Sequence, residues 1–384
     1  MTISANLPLY VERGFDPVPR PPFQAGRSDL LMALVEADSR VTSALVNRAI
    51  TEPSGGTFRY RAMANWVLLM FADLKEMGSA HRDDTLRGHV AENELSLWIP
   101  LLDGANRPAW YMPYVFNSEA SAVITGREVY GYPKIHTPMV MDWPDGELPR
   151  SVSIDFPVRV GDRWGKRRLQ VLTMNEDKVE QFQPASALPT VNAATEAGGR
   201  TSSPQSAQSD PKLRLRLRPA PPRGIPGKQP RPPAPAGPHD DWMWAADKLS
   251  APGREAARDL LANAPLVFLK QFRDAERSDR ACYQAIIHAK LVMSGRALRS
   301  VTPLGAESFS VKLPNSADFP LVQEVGLIEA DMAAVPAPQR LPAVDVERKN
   351  FENEESVGLK VLGLFSLSTA FSIQSGHTYW SRWG

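Results

Sequence analysis

The chain has 384 residues, of which 43% are hydrophobic and 23% charged, which is typical of a soluble protein with one large or two modest domains. A formal net charge of +1 argues against nucleic-acid or membrane binding over the whole surface, and a single cysteine excludes an internal disulfide. The chain shows no signal-peptide pattern and no run of about 18 apolar residues, so we expect a cytoplasmic protein with no nucleic-acid or membrane partner.

Residues 1–183 are predicted to form mainly strands. Apolar runs of strand length occur at Asn65–Phe71, Glu94–Leu102 and Trp110–Phe116. Every second residue of Ser151–Val160 is apolar, so this segment is predicted to be a half-buried strand that pairs across a turn with Arg168–Met174. One helix of about two turns is predicted between the strands, with Ser118 as its N-cap and Gly126 at its end.

Residues 184–240 differ in composition from the rest of the chain. They contain thirteen of the 35 prolines, and glycine, serine and alanine fill much of the remainder. Such a stretch cannot bury enough apolar surface to offset the entropy of ordering it, so we predict a disordered insertion. The insertion divides one domain into residues 1–183 and 241–335, and residues 336–384 form a C-terminal extension.

The segments after the insertion are again rich in predicted strands. We predict a helix at Ala251–Ala262, strands near 265–272, 281–290 and 306–313, and a short helix at Phe319–Gly326. Cys282 lies in the second of these strands and is predicted to be buried, as free cysteines usually are. The apolar run Val357–Ile373 either forms an oligomer contact or completes the core, and we favour the core. Many strands with few long helices predict an α+β fold built on an antiparallel sheet.

One lysine is placed unusually. Residues 126–138 read Gly-Arg-Glu-Val-Tyr-Gly-Tyr-Pro-Lys-Ile-His-Thr-Pro, and Lys134 stands there in an otherwise mostly uncharged run. A lysine is nucleophilic at neutral pH only when its ammonium form is disfavoured, by desolvation or by a nearby positive charge. The flanking Tyr130, Tyr132 and Ile135 offer that desolvation. A lysine that reaches solvent from a loop is the alternative interpretation.

This segment resembles the active-site signature of the acetoacetate decarboxylase superfamily, in which Gly-Arg-Glu and an aromatic spacer precede Pro-Lys. Further segments resemble the family's pocket strands, pocket helix and later strands, in the same order along the chain: Asn93–Pro100, Trp110–Phe116, Ser118–Ala120, Pro265–Phe272 and Ala281–Ala285. The resemblance covers roughly residues 40–175 and 262–330. It implies a largely antiparallel, closed, barrel-like sheet with the lysine inside and a few short flanking helices.

The resemblance also implies a lysine Schiff base and a homo-oligomer. The decarboxylases proper carry two adjacent lysines after the proline, and the first forms the Schiff base. Lys134 stands at that first position, whereas Ile135 stands at the second, so the Schiff-base amine carries over and the second lysine does not. The sequence shows no metal-ligand spacing, phosphate-binding glycine loop or serine-nucleophile motif, so we predict no cofactor.

Glu94 is the second predicted catalytic residue. Alternation along a strand places Glu94, Ser96 and Trp98 on one face. The resemblance maps Glu94 onto the family's pocket glutamate, which implies proton transfer or positioning of the polar end of the substrate. The alternative is an exposed residue at the start of a strand, which is our interpretation of its neighbour Glu92.

Three more residues are candidates for the site. In an extended segment His136 shares a face with Lys134, where it would disfavour the ammonium form or move protons. We favour the alternative, a histidine bonded to backbone at a loop exit. An arginine is expected to bind the substrate carboxylate, because its planar fork matches that group. Arg27 does not match the family's spacing, and Arg127 is equally well explained as a structural residue that pairs with a carboxylate.

The sequence therefore predicts a lyase resembling acetoacetate decarboxylase that decarboxylates or otherwise cleaves a small keto acid through a Schiff base at Lys134. A Schiff-base aldolase-dehydratase acting on pyruvate-like keto acids would use the same intermediate. A non-catalytic ligand-binding relative, and a scaffold that binds partners through the proline-rich insertion, are the alternatives from other classes. A pKa of Lys134 well below the ordinary value favours the enzyme, and an ordinary one favours the binding protein.

Overall fold

The structure is a computed structural model that describes residues 9–12, 17–145, 147–160, 163–179, 264–293, 301–304, 306–315, 319–330 and 356–383. The predicted insertion at 184–240, the predicted helix Ala251–Ala262 and the predicted boundary at residue 336 lie outside these ranges. They stay predictions.

Strands dominate the described residues. In chain order they are β1 (Phe23–Glu36), β2 (Tyr60–Ala62), β3 (Trp66–Ser79), β4 (Val90–Asp103), β5 (Pro108–Asn117), β6 (Lys134–His136), β7 (Met139–Asp142), β8 (Ser151–Val160), β9 (Arg163–Met174), β10 (Pro265–Arg273), β11 (Ala281–Met293), β12 (Val301–Leu304), β13 (Phe309–Pro314), β14 (Ser356–Gly358), β15 (Val361–Ile373) and β16 (His377–Trp383). The α-helices are short: α1 (Ser39–Val46), α2 (Ala120–Val129), α3 (Glu176–Val179) and α4 (Leu321–Val325). Among the residues that the structure describes, no helix is long and apolar enough to cross a membrane.

Eleven of these strands form one sheet. Its hydrogen-bonded path runs β12-β15-β1-β3-β4-β5-β10-β11-β16, with β2 on β4 and β6 on β5. Residues 291–293 of β11 also pair with residues 371–373 of β15, which makes the sheet partly ring-like. Most neighbours are antiparallel, but β5 pairs in parallel with both β6 and β10. The predicted strand-rich fold with few helices is confirmed, whereas a largely antiparallel closed barrel is not, because the sheet is mixed.

Side chains of this sheet alternate between two apolar clusters. In β3, Leu69 and Phe71 belong to one cluster, and Leu68 and Met70 belong to the other. The first cluster, which we call the inter-sheet core, also contains residues of the second sheet such as Phe156. The second cluster, which we call the cavity side, contains the residues around Lys134. Successive residues of a strand point to opposite faces, so every long strand contributes to both.

The second sheet has the order β14-β13-β9-β8-β7. The predicted pairing of β8 with β9 is confirmed, since the two strands pair in antiparallel register from Ser151 opposite Thr173 to Val160 opposite Arg163. The second strand of the pair starts five residues earlier than predicted. Val152, Ile154 and Phe156 are buried, as the alternating pattern predicts.

Most elements after residue 263 lie where the sequence pattern predicts them. Strands β10 and β11 and helix α4 lie where they are predicted, and β13 begins at Phe309 after a 3₁₀ turn at Ala306–Ser308. The apolar run near the C-terminus forms β15, which pairs with β1 and β12. Its Leu364 and Leu367 are buried in the two apolar clusters, so the run contributes to the core, as we favoured.

Cys282 corrects the sequence analysis, because it is exposed rather than buried. The register of β10 with β11 shifts between Phe272, opposite Tyr283, and Arg273, opposite Ala281. Cys282 is therefore the extra residue of a bulge near the end of the hairpin, where Phe272 is itself exposed.

Candidate functional site

Lys134 begins β6, where it pairs with Val115 of β5, and its side chain enters a cavity of about 240 Å³. The residue is 9% exposed, and the neighbouring Tyr130 and Tyr132 are buried and line the same cavity. The structure thus places Lys134 inside the protein and not on a solvated loop. Ile135 packs against the inter-sheet core, because consecutive residues of β6 point to opposite faces, and it takes no part in desolvating the amine.

Most of the cavity lining is apolar. Most of the apolar side chains come from strands of the main sheet and from the loop before β6: Phe23, Leu30, Met32, Met70, Leu74, Met77, Val90, Trp98, Met112, Tyr130, Tyr132, Leu266, Leu291, Phe371 and Ile373. Pro17, Pro19 and Ala122 complete the described apolar lining. Four acidic or basic side chains belong to the described lining: Glu92, Glu94, Arg87 and Lys134. Charged groups of such a cavity interact strongly, because the surrounding dielectric is low.

Helix α2 covers the stem of Lys134 through Gly126. A Cβ atom at position 126 would lie 3.0 Å from Cδ and 3.2 Å from Cε of Lys134, so any larger residue would crowd the lysine stem. Gly126 was predicted to end this helix, which is wrong, since α2 continues to Val129. The predicted N-cap, Ser118, is also wrong, because the Glu119 side chain accepts from the Ser121 backbone N–H, while Ser118 Oγ accepts from Asn93 N at 2.8 Å.

The loop between α2 and β6 depends on two further residues of the motif. Gly131 has φ +81°, and a Cβ atom there would lie 2.5 Å from Cα of Lys270, so both its conformation and its surroundings require glycine. Arg127 Nη1 donates to the backbone carbonyl of Lys134 at 3.1 Å. Arg127 is therefore a structural residue, as one interpretation predicts, although its partner is a carbonyl and not a carboxylate.

Glu94 lies next to the amine. Its Oε2 is 3.2 Å from Nζ of Lys134 and accepts a hydrogen bond of 3.3 Å from Nδ2 of Asn117. Trp98 lines the same cavity and donates to Ser96 Oγ at 2.8 Å, so Glu94, Ser96 and Trp98 share a face as the alternation of β4 predicts. The structure therefore brings the two predicted catalytic residues into contact.

Glu92 is the residue of the site that the sequence analysis missed. It was predicted to be exposed, but it is 2% exposed, and its Oε1 lies 3.9 Å from Nζ of Lys134. Its Oε2 is buried and has no hydrogen-bond partner among the described residues. The signal that could have found it is the same alternation that identifies Glu94, because residues two apart in a strand share a face.

The two carboxylates change the charge state expected of the amine. Burial lowers the pKa of Lys134, but the carboxylates of Glu92 and Glu94 outweigh this effect, and the pKa is raised. The ammonium form is thus stabilised in the ligand-free site, contrary to the lowered pKa expected of the enzyme. Burial raises the pKa of Glu92, and the charge of Glu94 adds to the effect against the opposing influence of Lys134.

The other candidates lie outside this cluster. His136 is exposed, and its Nε2 lies 3.2 Å from the carbonyl of Ser118, which is the backbone-bonded arrangement that we favoured. Arg27 is paired with Asp145 at 3.4 Å and does not line the cavity. Arg87 is the one arginine in the lining. Within the described part of the chain, no group of three or more histidine, cysteine, aspartate or glutamate residues is arranged to hold a metal ion.

No protein-family model matches the sequence, and neither does any curated protein. The structure is similar to acetoacetate decarboxylase from Legionella pneumophila, with a TM-score of 0.50 and 10% identity over 99% of this chain and 94% of that chain. It is also similar to an acetoacetate decarboxylase-like enzyme from Sphingomonas wittichii RW1, with a TM-score of 0.46 and 11% identity over 95% of this chain and 96% of that chain. The enduracididine biosynthesis enzyme MppR complexed with pyruvate matches with a TM-score of 0.42 and 12% identity over 94% of this chain and 91% of that chain. The likeness to the Legionella enzyme confirms the resemblance to acetoacetate decarboxylase as a likeness of fold.

Proposed function

We propose that the protein is a carbon–carbon lyase that decarboxylates or otherwise cleaves a small keto acid through a Schiff base at Lys134. The observation that carries this proposal is the buried amine, which lies in an apolar cavity with Glu94 Oε2 3.2 Å from its Nζ. The fold likeness supports a related enzyme and does not specify the reaction. Catalytic roles for Lys134 and Glu94 are part of the proposal.

Glu94 is placed to make the amine nucleophilic despite its raised pKa. The ammonium of Lys134 can pass a proton to Glu94 across their 3.2 Å contact, which gives a neutral amine and a neutral acid. Expulsion of water by a substrate favours this neutral pair over the ion pair, since charges are less stable in a dry cavity. The amine then attacks the keto carbon, and Glu94 returns its proton to the departing hydroxyl as the iminium forms.

The apolar lining favours loss of carbon dioxide from that iminium. The electron pair of the breaking carbon–carbon bond moves toward the iminium nitrogen, which yields a neutral enamine and carbon dioxide. A carboxylate is poorly solvated in such a cavity, whereas both products of this step are uncharged, so desolvation raises the ground state more than the transition state. Arg87, whose Nε is paired with Asp84 at 2.9 Å, is the arginine of the described lining that would meet the carboxylate of an entering substrate.

A Schiff-base aldolase-dehydratase is the second candidate, and the presence of Glu92 favours it. Dehydration needs an acid that protonates a leaving hydroxyl while another group abstracts a proton. The site holds two carboxyl groups within 4 Å of Nζ, at 3.2 Å and 3.9 Å, and so offers both. Carbon dioxide release distinguishes this reaction from decarboxylation.

The test is borohydride trapping read by intact mass, with acetoacetate, pyruvate and a keto acid that carries a larger apolar group. The third compound is included because the lining is mostly apolar. We expect a reduced adduct on the wild type and none on Lys134→Ala, with gas release followed in parallel. Lys270→Ala is the matched control: burial lowers the pKa of this lysine, which makes it the competing amine, and it does not line the cavity.

The outcomes separate the alternatives. An adduct that persists in Lys270→Ala and disappears in Lys134→Ala supports the Schiff base, and gas release then supports the decarboxylase. An adduct without gas release, but with consumption of an added aldehyde, supports the aldolase-dehydratase. Absence of an adduct with every keto acid contradicts the lyase and favours the ligand-binding relative.

A further inference from the structure

Glu92 is a buried acid to which the proposed decarboxylation at Lys134 has so far assigned no role. Its side chain is 1% exposed, lines the cavity and leaves Oε2 without a hydrogen bond within the described part of the chain. Leaving a buried carboxyl oxygen unpaired is costly, and native proteins rarely do so without a functional reason. The unpaired oxygen therefore points to a group that arrives with the substrate.

The position of Glu92 relative to the amine differs from that of Glu94. Glu94 touches Nζ at 3.2 Å, whereas the nearer oxygen of Glu92 is 3.9 Å from it. In the enamine, the carbon that must be protonated lies two bonds beyond Nζ. An acid whose oxygen lies 3.9 Å from Nζ is within reach of that carbon, and it does not hold the hydrogen-bonding position that Glu94 already occupies at the nitrogen.

We propose that Glu92 is a catalytic residue that enters the reaction as a neutral carboxylic acid and delivers its proton to the enamine carbon after the carbon–carbon bond breaks. The proposal rests on the proposed Schiff-base function. In this step the O–H bond of Glu92 breaks and a C–H bond forms at the enamine carbon. The nitrogen lone pair re-forms the iminium, and Glu92 becomes a carboxylate. Water then hydrolyses the iminium to release the ketone, and Glu92 recovers a proton from solvent.

The groups that face Glu92 support a neutral acid before this step and a carboxylate after it. Glu94 on the same strand and Glu119 at the start of α2 both disfavour a second negative charge, and burial has the same effect. Lys134 and the side-chain amide of Asn117 favour the charge, and the buried Tyr132 lies in the same cluster. Once the iminium has formed, its fixed positive charge at Nζ favours the carboxylate that proton transfer produces.

The experiment compares Glu92→Gln with the wild type in two measurements. The first is the rate of borohydride-trapped adduct formation across pH, and the second is exchange of the product ketone's α-hydrogens for deuterium in D₂O, followed by NMR. A carboxamide has the shape and charge of a neutral carboxylic acid but does not donate a proton to carbon. We therefore expect adduct formation with the wild-type pH dependence, and exchange reduced by about 10²-fold or more.

Two variants complete the design. Glu76→Gln makes the same substitution at an exposed glutamate that does not line the cavity, and it should keep wild-type exchange. Glu92→Asp retains a transferable proton and should exchange faster than Glu92→Gln. Adduct formation also reports that each variant has folded around its site.

Each outcome decides the proposal. If Glu92→Gln shifts adduct formation to lower pH, then Glu92 is charged in the resting site and the proposal is wrong. Wild-type exchange in Glu92→Gln also overturns it, while leaving the Schiff base intact. A wild type that forms no adduct overturns the proposed function and this proposal with it.

Discussion

The two faces of β4 carry different chemistry although they belong to one strand. Leu95, Leu97 and Ile99 point into the inter-sheet core and are fully buried. Glu92 and Glu94 alternate with them and are almost as deeply buried, but they line the cavity. Burial alone therefore does not exclude a charge from this sheet. Charge is accommodated on the face where Lys134 and the cavity provide partners.

The comparison also indicates what the cluster of charges is for. Desolvation of a buried ion pair often offsets the attraction between the two charges, so apolar residues of similar volume are frequently as stable. The inter-sheet core shows that this sheet can bury a purely apolar face. We therefore interpret Lys134, Glu94 and Glu92 as a group kept for chemistry and not for stability.

The largest expected effect is on the free energy of unfolding, when neighbouring side chains on the two faces of β3 are each truncated to alanine. Leu69→Ala opens a void in the inter-sheet core and should reduce the free energy of unfolding by about 2–5 kcal/mol. Met70→Ala enlarges a cavity that already exists, so this substitution should reduce the free energy of unfolding by only about 1–2 kcal/mol. Urea denaturation with the slope held constant measures both. Equal losses would show that the two faces are packed alike and break the comparison.

The second-largest expected effect is a dependence of the free energy of unfolding on pH, which Glu92 causes. Because the pKa of Glu92 is raised in the folded state, the folded protein binds more protons than the unfolded chain above the ordinary value of 4.5. The free energy of unfolding should therefore fall as pH rises from 4.5 toward the folded pKa, by at most about 1.4 kcal/mol per pH unit. Lys134 does not interfere, since its contribution is lost only above its ordinary value of 10.5.

Glu92→Gln should remove that slope and leave the variant more stable than the wild type at neutral pH. Urea midpoints measured at intervals from pH 4.5 to 8 test this expectation. Parallel curves for the two proteins would mean that Glu92 titrates normally and would weaken the contrast between the two faces.

A smaller effect is expected where α2 touches the lysine. Gly126→Ala places a methyl group 3.0 Å from Cδ of Lys134 and should displace the side chain, which lowers the rate of adduct formation several-fold. Its thermal midpoint should change little, because alanine favours a helix by about 1 kcal/mol and offsets the crowding. Gly104→Ala is the matched control, since nothing lies within 4 Å of the added atom. A similar loss of adduct formation in both variants would contradict the close packing of Gly126 on Lys134.

The smallest effect is expected at His136. This residue is exposed and its ring contacts the backbone carbonyl of Ser118, so it does not act on the amine directly. His136→Asn should leave the dependence of adduct formation on pH in place. A displaced pH profile would show that His136 influences Lys134 and would extend the charged cluster beyond the cavity.

Local pattern determined much of this fold from the sequence. The pairing of β8 with β9 and the common face of Glu94, Ser96 and Trp98 both follow from alternation within short segments. The burial of Lys134 was expected from the family resemblance, whereas its own segment also allowed a lysine that reaches solvent. Such patterns depend on neighbours two or three residues away, which a sequence displays directly.

Tertiary structure decided the rest, because the deciding contacts join distant residues. Glu92 meets Lys134 only because β6 lies in parallel beside β5, which in turn pairs with β4. That contact explains both the burial of Glu92 and the raised pKa of Lys134, where the sequence predicted an exposed glutamate and a lowered pKa. Tertiary contacts also decided the surroundings of Gly126 and Cys282. Gly126 packs against Lys134, which is eight residues away, and the register shift of β11 against β10 exposes Cys282. Charge and packing depend on which residues meet in space, and local periodicity does not contain that information.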